Sequence, residues 1–281
     1  MGLGLETISG FVTAPGAAFT PWTMAAGNSL TIRSALATAK IWLIEANAFN
    51  QVAGVLRVRS PRLHDNVQGI RMRVPAANTD AMYPNVGDGG FNQYLITQDT
   101  LTVEQTGSAV AGQIESGALW VYYEDLPGIG ARLIDVATLD KAGINIIGQE
   151  ISIATGVAGG FSGQVTITQG GTIDNFKANT DYALLGIMVD TRVGVVRIQG
   201  VDVGNLGIGV PGEPTQRHVY ANFFERLSNA TGKPCIPVFN SANKAGILVD
   251  ATGNQAAITT VATLWMVELQ PGAVPLAKSG I

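Results

Sequence analysis

The strongest constraint on the fold is a series of short segments that occurs twice in the same order. Five pairs match, namely residues 27–32 with 163–167, 54–59 with 194–199, 70–75 with 206–211, 82–85 with 219–222, and 119–128 with 264–272. In the last pair, Trp120 and Trp265 hold the same place, and each segment ends in Pro-Gly. An ordered repeat of this kind predicts two related domains of about 100 residues each.

Alternation of apolar and polar residues indicates that both domains consist of β-strands. The alternating runs are short, and they are separated by turn sequences drawn from 35 glycines and 12 prolines. This pattern predicts an all-β fold of two tandem jelly-roll-like β-sandwiches. Helical spacing is strongest at residues 218–230, before Gly232 and Pro234, so one or two short helices are also expected.

The repeats set the predicted domain boundaries. Residues 1–26 form an N-terminal arm, 27–128 the first sandwich, 129–162 a linker region, 163–272 the second sandwich and 273–281 a C-terminal tail. The arm could reach a neighbouring subunit or the interior of an assembly, anchored by Phe11, Phe19, Pro21 and Trp22. Alternatively, it packs back on its own domain.

The low charge content favours a protein that is partly buried in an assembly. Charged residues make up 14% of the chain, against about 25% in typical globular proteins. A surface with few charges is more easily buried against other protein. Exposed Gln, Asn, Thr and Ser could supply the missing polarity in a protein that does not assemble.

Neither the net charge nor the arginines favour sequence-specific binding of nucleic acid. The formal charge is −4. Two pairs, Arg57 with Arg59 and Arg71 with Arg73, would each place both guanidinium groups on one face of a strand. We expect this basic strip to be a solvated strand face whose arginines pair with carboxylates.

The side chains that most often support catalysis or metal binding are scattered. His64 and His218 are the two histidines, they fall at non-equivalent places in the repeats, and a duplicated cupin-like metal site would need a cluster of such ligands. Acidic residues in predicted loops could hold a structural Ca²⁺, but their spacing does not support it: Asp80, Asp88, Asp125 and Asp202. The sequence therefore predicts no catalytic, cofactor-binding or metal-binding residues, and no enzyme.

Other chemical motifs have simpler structural interpretations. The glycines of residues 204–209 do not have dinucleotide-binding spacing, and strands surround them. Cys235, between two prolines, is expected to be a small buried apolar residue. Glu124 and Glu268, which follow the matched tryptophans, are expected to pair with arginines at the surface. The N-terminal residues do not resemble a signal peptide, and no apolar run could span a membrane, so we expect a soluble protein.

Two segments resemble a family of coat proteins. The segment 25–32 (Ala-Ala-Gly-Asn-Ser-Leu-Thr-Ile) and the segment 222–229 (Asn-Phe-Phe-Glu-Arg-Leu-Ser-Asn) look like parts of the double jelly-roll major capsid proteins of tailless icosahedral bacteriophages and viruses. The architecture is similar over about 250 residues, although the loops here are shorter than in many members.

The resemblance implies a structural virion protein. Such a chain forms homotrimers, whose six sandwiches make a pseudo-hexameric capsomer of an icosahedral shell. It further implies contacts with other capsid proteins such as a vertex protein, peripheral contact with an internal membrane, assembly in the host cytoplasm and location in the virion.

A carbohydrate- or receptor-binding β-sandwich protein, such as a phage fibre, a spike or a two-domain lectin, is the main alternative. Its binding site would expose aromatic side chains on loops. Trp42, Trp120 and Trp265 lie in apolar strand sequences, and only Trp22 lies outside a predicted strand. This distribution favours the shell protein. A capsid decoration protein is a third alternative.

Overall fold

A computed structural model describes most of the chain. The described residues are 2–25, 29–30, 40–61, 63, 66–76, 92–96, 99–126, 130–156, 158–168, 174–214, 217–253 and 257–274. The strands are β1 (Gly2–Thr13), β2 (Thr20–Pro21), β3 (Thr23–Met24), β4 (Lys40–Phe49), β5 (Gly54–Arg59), β6 (Ile70–Val74), β7 (Gln93–Leu95), β8 (Thr102–Gln105), β9 (Ile114–Leu126), β10 (Leu133–Ile134), β11 (Gly143–Thr155), β12 (Phe161–Thr166), β13 (Asp181–Val189), β14 (Val195–Gln199), β15 (Ile208–Pro211), β16 (Ile236–Asn240), β17 (Leu248–Thr252) and β18 (Ile258–Leu269). The helices are α1 (Val136–Ala142), α2 (Arg217–Tyr220), α3 (Phe223–Thr231) and a 3-10 helix at Ser241–Gly246.

The strands form two sandwiches with the same topology. The first packs the sheet β3-β1-β9-β4-β7 on the sheet β2-β8-β5-β6, and the second packs β10-β16-β13-β18-β11 on β12-β17-β14-β15. Without the two-residue strands β3 and β10, each sandwich has eight strands. In both, the first, last, third and sixth strands form one sheet, and the second, seventh, fourth and fifth form the other. This is the jelly-roll order, and it confirms the predicted fold class.

Strand register makes the two sandwiches equivalent residue by residue. Trp120 lies opposite Thr7 on β1 and Glu45 on β4. Trp265 lies opposite Gly148 on β11 and Gly186 on β13. A register shift occurs at the same place in β4 and β13, immediately before Glu45 and Gly186. The matched segments around the two tryptophans are therefore the same strand of the two copies.

The structure corrects the predicted arm and linker. Residues Gly2–Thr13 are not an arm, because β1 pairs with β9 along its length and is the first strand of the first sandwich. Likewise, β11 and the start of β12 lie within the predicted linker 129–162. Residues Gly2–Thr13 thus pack on their own domain, which is the alternative to an extended arm.

One misaligned repeat pair explains the error. Thr20 lies opposite Gln105 and Ser162 lies opposite Ala251, which are equivalent positions of β8 and β17. The segment 163–167 therefore corresponds to residues just after Thr20 and not to 27–32. Residues 26–28 and 31–32 lie outside the described residues, as do the matched segment 82–85 and the tail from residue 275.

Trp22 is buried although it lies between two short strands. Its ring packs on Gly10 and Gly117, where an added Cβ would come within 2.7 Å and 2.5 Å of ring carbons, respectively. Its indole N–H donates to the Gln105 side chain at 2.8 Å. The glycines are required here because any side chain would occupy the space of the ring. Trp22 is therefore a core residue of the first sandwich and not an exposed anchor.

The predicted helix at 218–230 is divided into α2 and α3. The break brings the backbone of Tyr220 close to β13, where a Cβ at Gly186 would lie 1.8 Å from the Tyr220 carbonyl oxygen. Helix α3 ends at Gly232, whose φ of 68° gives the left-handed cap that favours glycine. Helix α1, which the sequence pattern did not predict, begins after Asp135, whose side chain accepts a hydrogen bond from the Thr138 amide. Within the described residues, no helix is long and apolar enough to cross a membrane.

The position of β1 predicts a large stability loss when its core side chains are truncated. Ile8 is 2% exposed in the first core. We expect Ile8→Ala to lower the free energy of unfolding by about 2–5 kcal/mol, measured by urea denaturation. Val67→Ala, at a site 71% exposed, is the control and should change it by less than about 0.5 kcal/mol. Equal, small effects would show that residues 2–13 do not belong to the core.

Candidate functional site: the contact between the two sandwiches

The central strands β1, β9 and β4 of one sheet of the first sandwich are buried on both faces. Side chains alternate along the strand, so that Leu119, Val121 and Tyr123 enter the core of the first sandwich. Ala118, Trp120 and Tyr122 point the other way and belong to the core of the second sandwich. Burial of both faces explains why the segment is almost continuously apolar. The two sandwiches thus share one sheet as a boundary between their cores.

Hydrogen bonds join β1 and β9 to the residues at β15. The Thr7 amide donates to the Gly207 carbonyl at 2.7 Å, and the Gly209 amide donates to the Thr7 hydroxyl at 2.8 Å. The Trp120 indole N–H donates to the Gly209 carbonyl at 2.8 Å. The first of these bonds satisfies a backbone amide at the edge of β1. They also fix the relative position of the two sandwiches.

Helix α3 and the loop after it complete the contact. The Phe223 ring lies 5.0 Å from the Trp120 ring, centroid to centroid. The Lys233 ammonium lies 4.3 Å from the centroid of the Trp42 ring and bonds the Glu124 carboxylate at 2.9 Å. A cation that is paired with both a ring and a carboxylate is held more firmly than a solvated lysine. The contact therefore combines apolar packing with directional polar bonds.

An arginine stack occurs at equivalent positions of the two sandwiches. In the first, Arg57 lies 3.8 Å from the Phe19 ring centroid and bonds Glu104 at 2.7 Å. In the second, Arg197 lies 3.6 Å from the centroid of the Phe161 ring, and two bonds of 2.9 Å and 2.7 Å join it to Asp250. Arg57 lies opposite Glu104 in the strand register as Arg197 lies opposite Asp250. Each stack ties three strands of one sheet together.

Half of the basic strip pairs with a carboxylate, as expected for its arginines. Arg57 and Arg59 both bond Glu104. Burial by itself would raise the pKa of the Glu104 carboxyl, but the hydrogen bonds and charges of Arg59 and Arg57 outweigh it and hold this pKa below its usual range. Arg71 and Arg73 remain exposed and border a cavity of about 610 Å³ in the first sandwich, whose other lining residues include Phe19 and Met72.

Most of the histidines and acidic residues considered as possible metal ligands lie outside the described part of the chain. His64, Asp80 and Asp88 lie outside the described residues, as does the side chain of His218. Asp202 accepts bonds from the Asn240 amide at 3.0 Å and the Asn243 side chain at 2.9 Å. Among the residues that the structure describes, no group of three His, Cys, Asp or Glu side chains could hold a metal ion.

Cys235, Glu124 and Glu268 have structural environments. Cys235 is buried, and burial raises the pKa of its thiol to about 12, so the sulfur is not an activated nucleophile. The two glutamates are ion-paired as expected, but with lysines and not arginines. Lys233 bonds Glu124 at 2.9 Å, and Lys177 bonds Glu268 at 2.7 Å.

Comparison with known proteins gives no close relative. No protein-family model and no curated protein matches the chain. Among solved structures, the STIV MCP, from Sulfolobus turreted icosahedral virus, is 10% identical over 96% of this chain and 98% of that one, with a TM-score of 0.22. The major capsid protein P2 of bacteriophage PM2 is 6% identical over 96% and 99%, with a TM-score of 0.21.

A third similar solved structure is that of an exported protein. The PBSX exported protein XepA is 12% identical over 93% of this chain and 86% of that one, with a TM-score of 0.25. Similarity this low carries no argument about function. The function therefore has to be inferred from the geometry of the chain itself.

The sequence pattern indicates only part of this contact. The Trp120 segment was recognised as a repeat, but the burial of both faces of β9 depends on a second domain that the pattern cannot place. The stack of Phe19 on Arg57 was missed because residues 1–26 were assigned to an arm. Phe19 precedes Arg57 by nearly the same number of residues as Phe161 precedes Arg197. This near-equal spacing is a sequence signal that indicates the stack in both repeats.

The Trp120 hydrogen bond predicts a specific loss of stability. Trp120→Phe leaves the buried Gly209 carbonyl without its indole donor, so we expect the free energy of unfolding to fall by about 1–3 kcal/mol or more. Trp42→Phe is the matched control, because the Trp42 indole N–H is buried without a hydrogen-bond partner among the described residues. Equal losses in urea denaturation would argue against the hydrogen bond.

The depressed pKa of Glu104 predicts acid sensitivity. A carboxyl whose pKa is lower in the folded state stabilises the fold above the pKa of an unfolded glutamate, about 4.3. That stabilisation is lost as the pH falls through the folded-state pKa. We therefore expect Glu104→Gln to destabilise the protein at neutral pH and to have a progressively smaller effect below about pH 4.3. A difference in unfolding free energy that is constant with pH would contradict this.

Proposed function

We propose that this chain is a structural virion protein. It would be a major capsid protein that assembles as trimers, whose six sandwiches form pseudo-hexameric capsomers of an icosahedral shell. The observation that carries the proposal is the presence of two jelly rolls of identical strand order, fixed side by side by one sheet that is buried on both faces.

Rigid coupling of two similar units supports a geometric role. Interfaces between domains of one chain are usually small and permit relative motion. Here the first sandwich contributes Trp120 and Leu5 to the second core, and the second contributes Leu206 to the first. Chains with two similar units can present near-equivalent edges to one another when they assemble around an axis.

The surface also supports association with other copies. With 14% charged residues, the chain resembles proteins that bury much of their surface. Several large apolar side chains are exposed on strands, including Tyr94 on β7, Ile144 and Ile146 on β11, and Val261 on β18. Of these, Ile144 and Ile146 share one face of β11, where an apolar contact with another copy could form. The partners we propose are copies of this chain, followed by a vertex protein and, peripherally, an internal membrane.

Light scattering after size-exclusion chromatography tests the proposal, together with electron microscopy of the purified protein. A capsid protein should elute as a stable trimer or a larger particle, and concentrated samples should show ordered shells or sheets. A monomer at every concentration tested would overturn it. Binding of that monomer to an immobilised glycan array would instead support the carbohydrate-binding alternative.

A further inference from the structure

The shared topology allows the same face to be compared in the two sandwiches. The register places Leu5 of β1 opposite Tyr122 and Thr7 opposite Trp120. At the equivalent positions, Ile146 of β11 lies opposite Val267, and Gly148 lies opposite Trp265. The outward face of β1 and β9 in the first sandwich therefore corresponds to that of β11 and β18 in the second.

These equivalent faces differ in burial at Leu5 and Trp120, whereas Tyr122 and its counterpart Val267 are both buried. Leu5 and Trp120 are both 0% exposed because the second sandwich covers them. Their counterpart Ile146 is 59% exposed, and Trp265 is only half-buried. The Trp265 indole N–H donates no hydrogen bond to any residue that the structure describes, whereas that of Trp120 bonds Gly209. We call the outward side chains of β11 and β18 around Ile146, Gly148 and Trp265 the uncovered face.

We propose that the uncovered face binds the first sandwich of a second copy of this chain. In that contact, β6 of the second copy takes the place that β15 takes within one chain. The inference rests on the proposed function and identifies the surface through which the copies associate. It extends an interface that already exists in the molecule, between two units of the same topology.

The register specifies which atoms should meet. Gly209 lies opposite Arg197 in the same way that Arg71 lies opposite Arg57. Arg71 of the second copy is therefore the counterpart of Gly209, and Gly69 is the counterpart of Gly207. The indole N–H of Trp265 would donate to the Arg71 carbonyl, and the Gly148 amide would donate to the Gly69 carbonyl, which repeats the bonds of Trp120 and Thr7.

The side chains at the proposed contact are complementary. Within the chain, Thr7 packs on Gly209, where an added Cβ would lie in ordinary contact with the Thr7 methyl carbon at 3.5 Å and would first meet Val195 at 2.5 Å. In the proposed contact the small residue is on the other side, because Gly148 faces Arg71. Arg71 and Arg73 are exposed on β6, and Glu150 is exposed next to the apolar residues of β11. Opposite charges at the rim favour this pairing over a contact between two identical faces.

The proposed contact is head-to-tail, because it joins the second sandwich of one copy to the first sandwich of the next. A contact of this type leaves the same two surfaces free at the ends of any open chain of copies. Both surfaces are occupied in every copy only when the copies close into a ring. The apolar side chains of Ile144 and Ile146 on β11, which are exposed in the single chain, are then covered in every copy.

Ile146→Glu tests the face itself. The side chain is exposed in the single chain, so folding should be retained, as checked by circular dichroism and thermal unfolding. We expect the concentration for half-assembly to rise at least about 30-fold, the effect of losing a central interface residue. Val110→Glu is the matched control, since Val110 is 60% exposed in the loop between β8 and β9 and belongs neither to β6 nor to the uncovered face. It should assemble like the wild type.

A cysteine pair tests the register. The double variant Gly148→Cys, Arg71→Cys should form disulfides between copies on mild oxidation, giving a closed ring of linked chains on a non-reducing gel. Cys235 is buried and should not interfere. Each single variant should remain unlinked. Disulfide-linked dimers of Gly148→Cys alone would show that two identical faces meet, which would overturn the head-to-tail contact.

The outcomes separate this inference from the proposed function. If the wild type forms trimers or shells, but Ile146→Glu assembles normally and the double variant does not cross-link, the uncovered face is not the contact and the capsid proposal stands. If the wild type is monomeric at every concentration, the capsid proposal fails and this inference fails with it.

Discussion

The architecture depends on one sheet that is buried on both faces. A sheet normally has one face toward a core and one toward solvent, and the alternation of side chains then separates apolar from polar residues. Along β9 both sets are apolar, with Leu119 and Val121 facing one core and Trp120 and Tyr122 facing the other. The first sandwich could not expose this sheet without exposing Trp120. The second sandwich therefore acts as an obligatory layer of the first and not as an independent neighbour.

Polar bonds make this contact directional. Apolar packing alone would allow the sandwiches to slide, because it depends on area and not on orientation. The indole bond to Gly209 and the bonds of Thr7 to Gly207 and Gly209 are satisfied in one register. In the other sheet of each sandwich, the one that contains β5 or β14, a stack of a phenylalanine, an arginine and a carboxylate joins three strands. The repetition of that stack shows that the two units share side-chain chemistry as well as topology.

The functional proposals follow from the difference between the two copies. Equivalent positions have the same local structure, so local sequence does not explain why Leu5 is buried and Ile146 is exposed. The difference arises because β1 has a neighbouring sandwich in its own chain and β11 does not. A second copy of the chain would supply the missing neighbour with surfaces that the molecule already possesses, and this is the physical basis for connecting the duplication with assembly.

The sequence by itself determined the fold class, the presence of two related units and the equivalence of β5 with β14 and of β9 with β18, because period-two alternation and the Trp-containing repeat are local patterns. It matched β6 with β15 two residues out of register, since the strand pairing makes Arg71 the counterpart of Gly209 and not of Gly207. It also predicted the pairing of Arg57 and Arg59 with a carboxylate. It misplaced β1 and β11, because a strand such as Gly2–Thr13 is rich in glycine and carries little alternation of its own. Its identity depends on pairing with β9, more than a hundred residues away. Only the tertiary structure decided which of the two equivalent sheet faces is covered, since that depends on how one sandwich packs on the other.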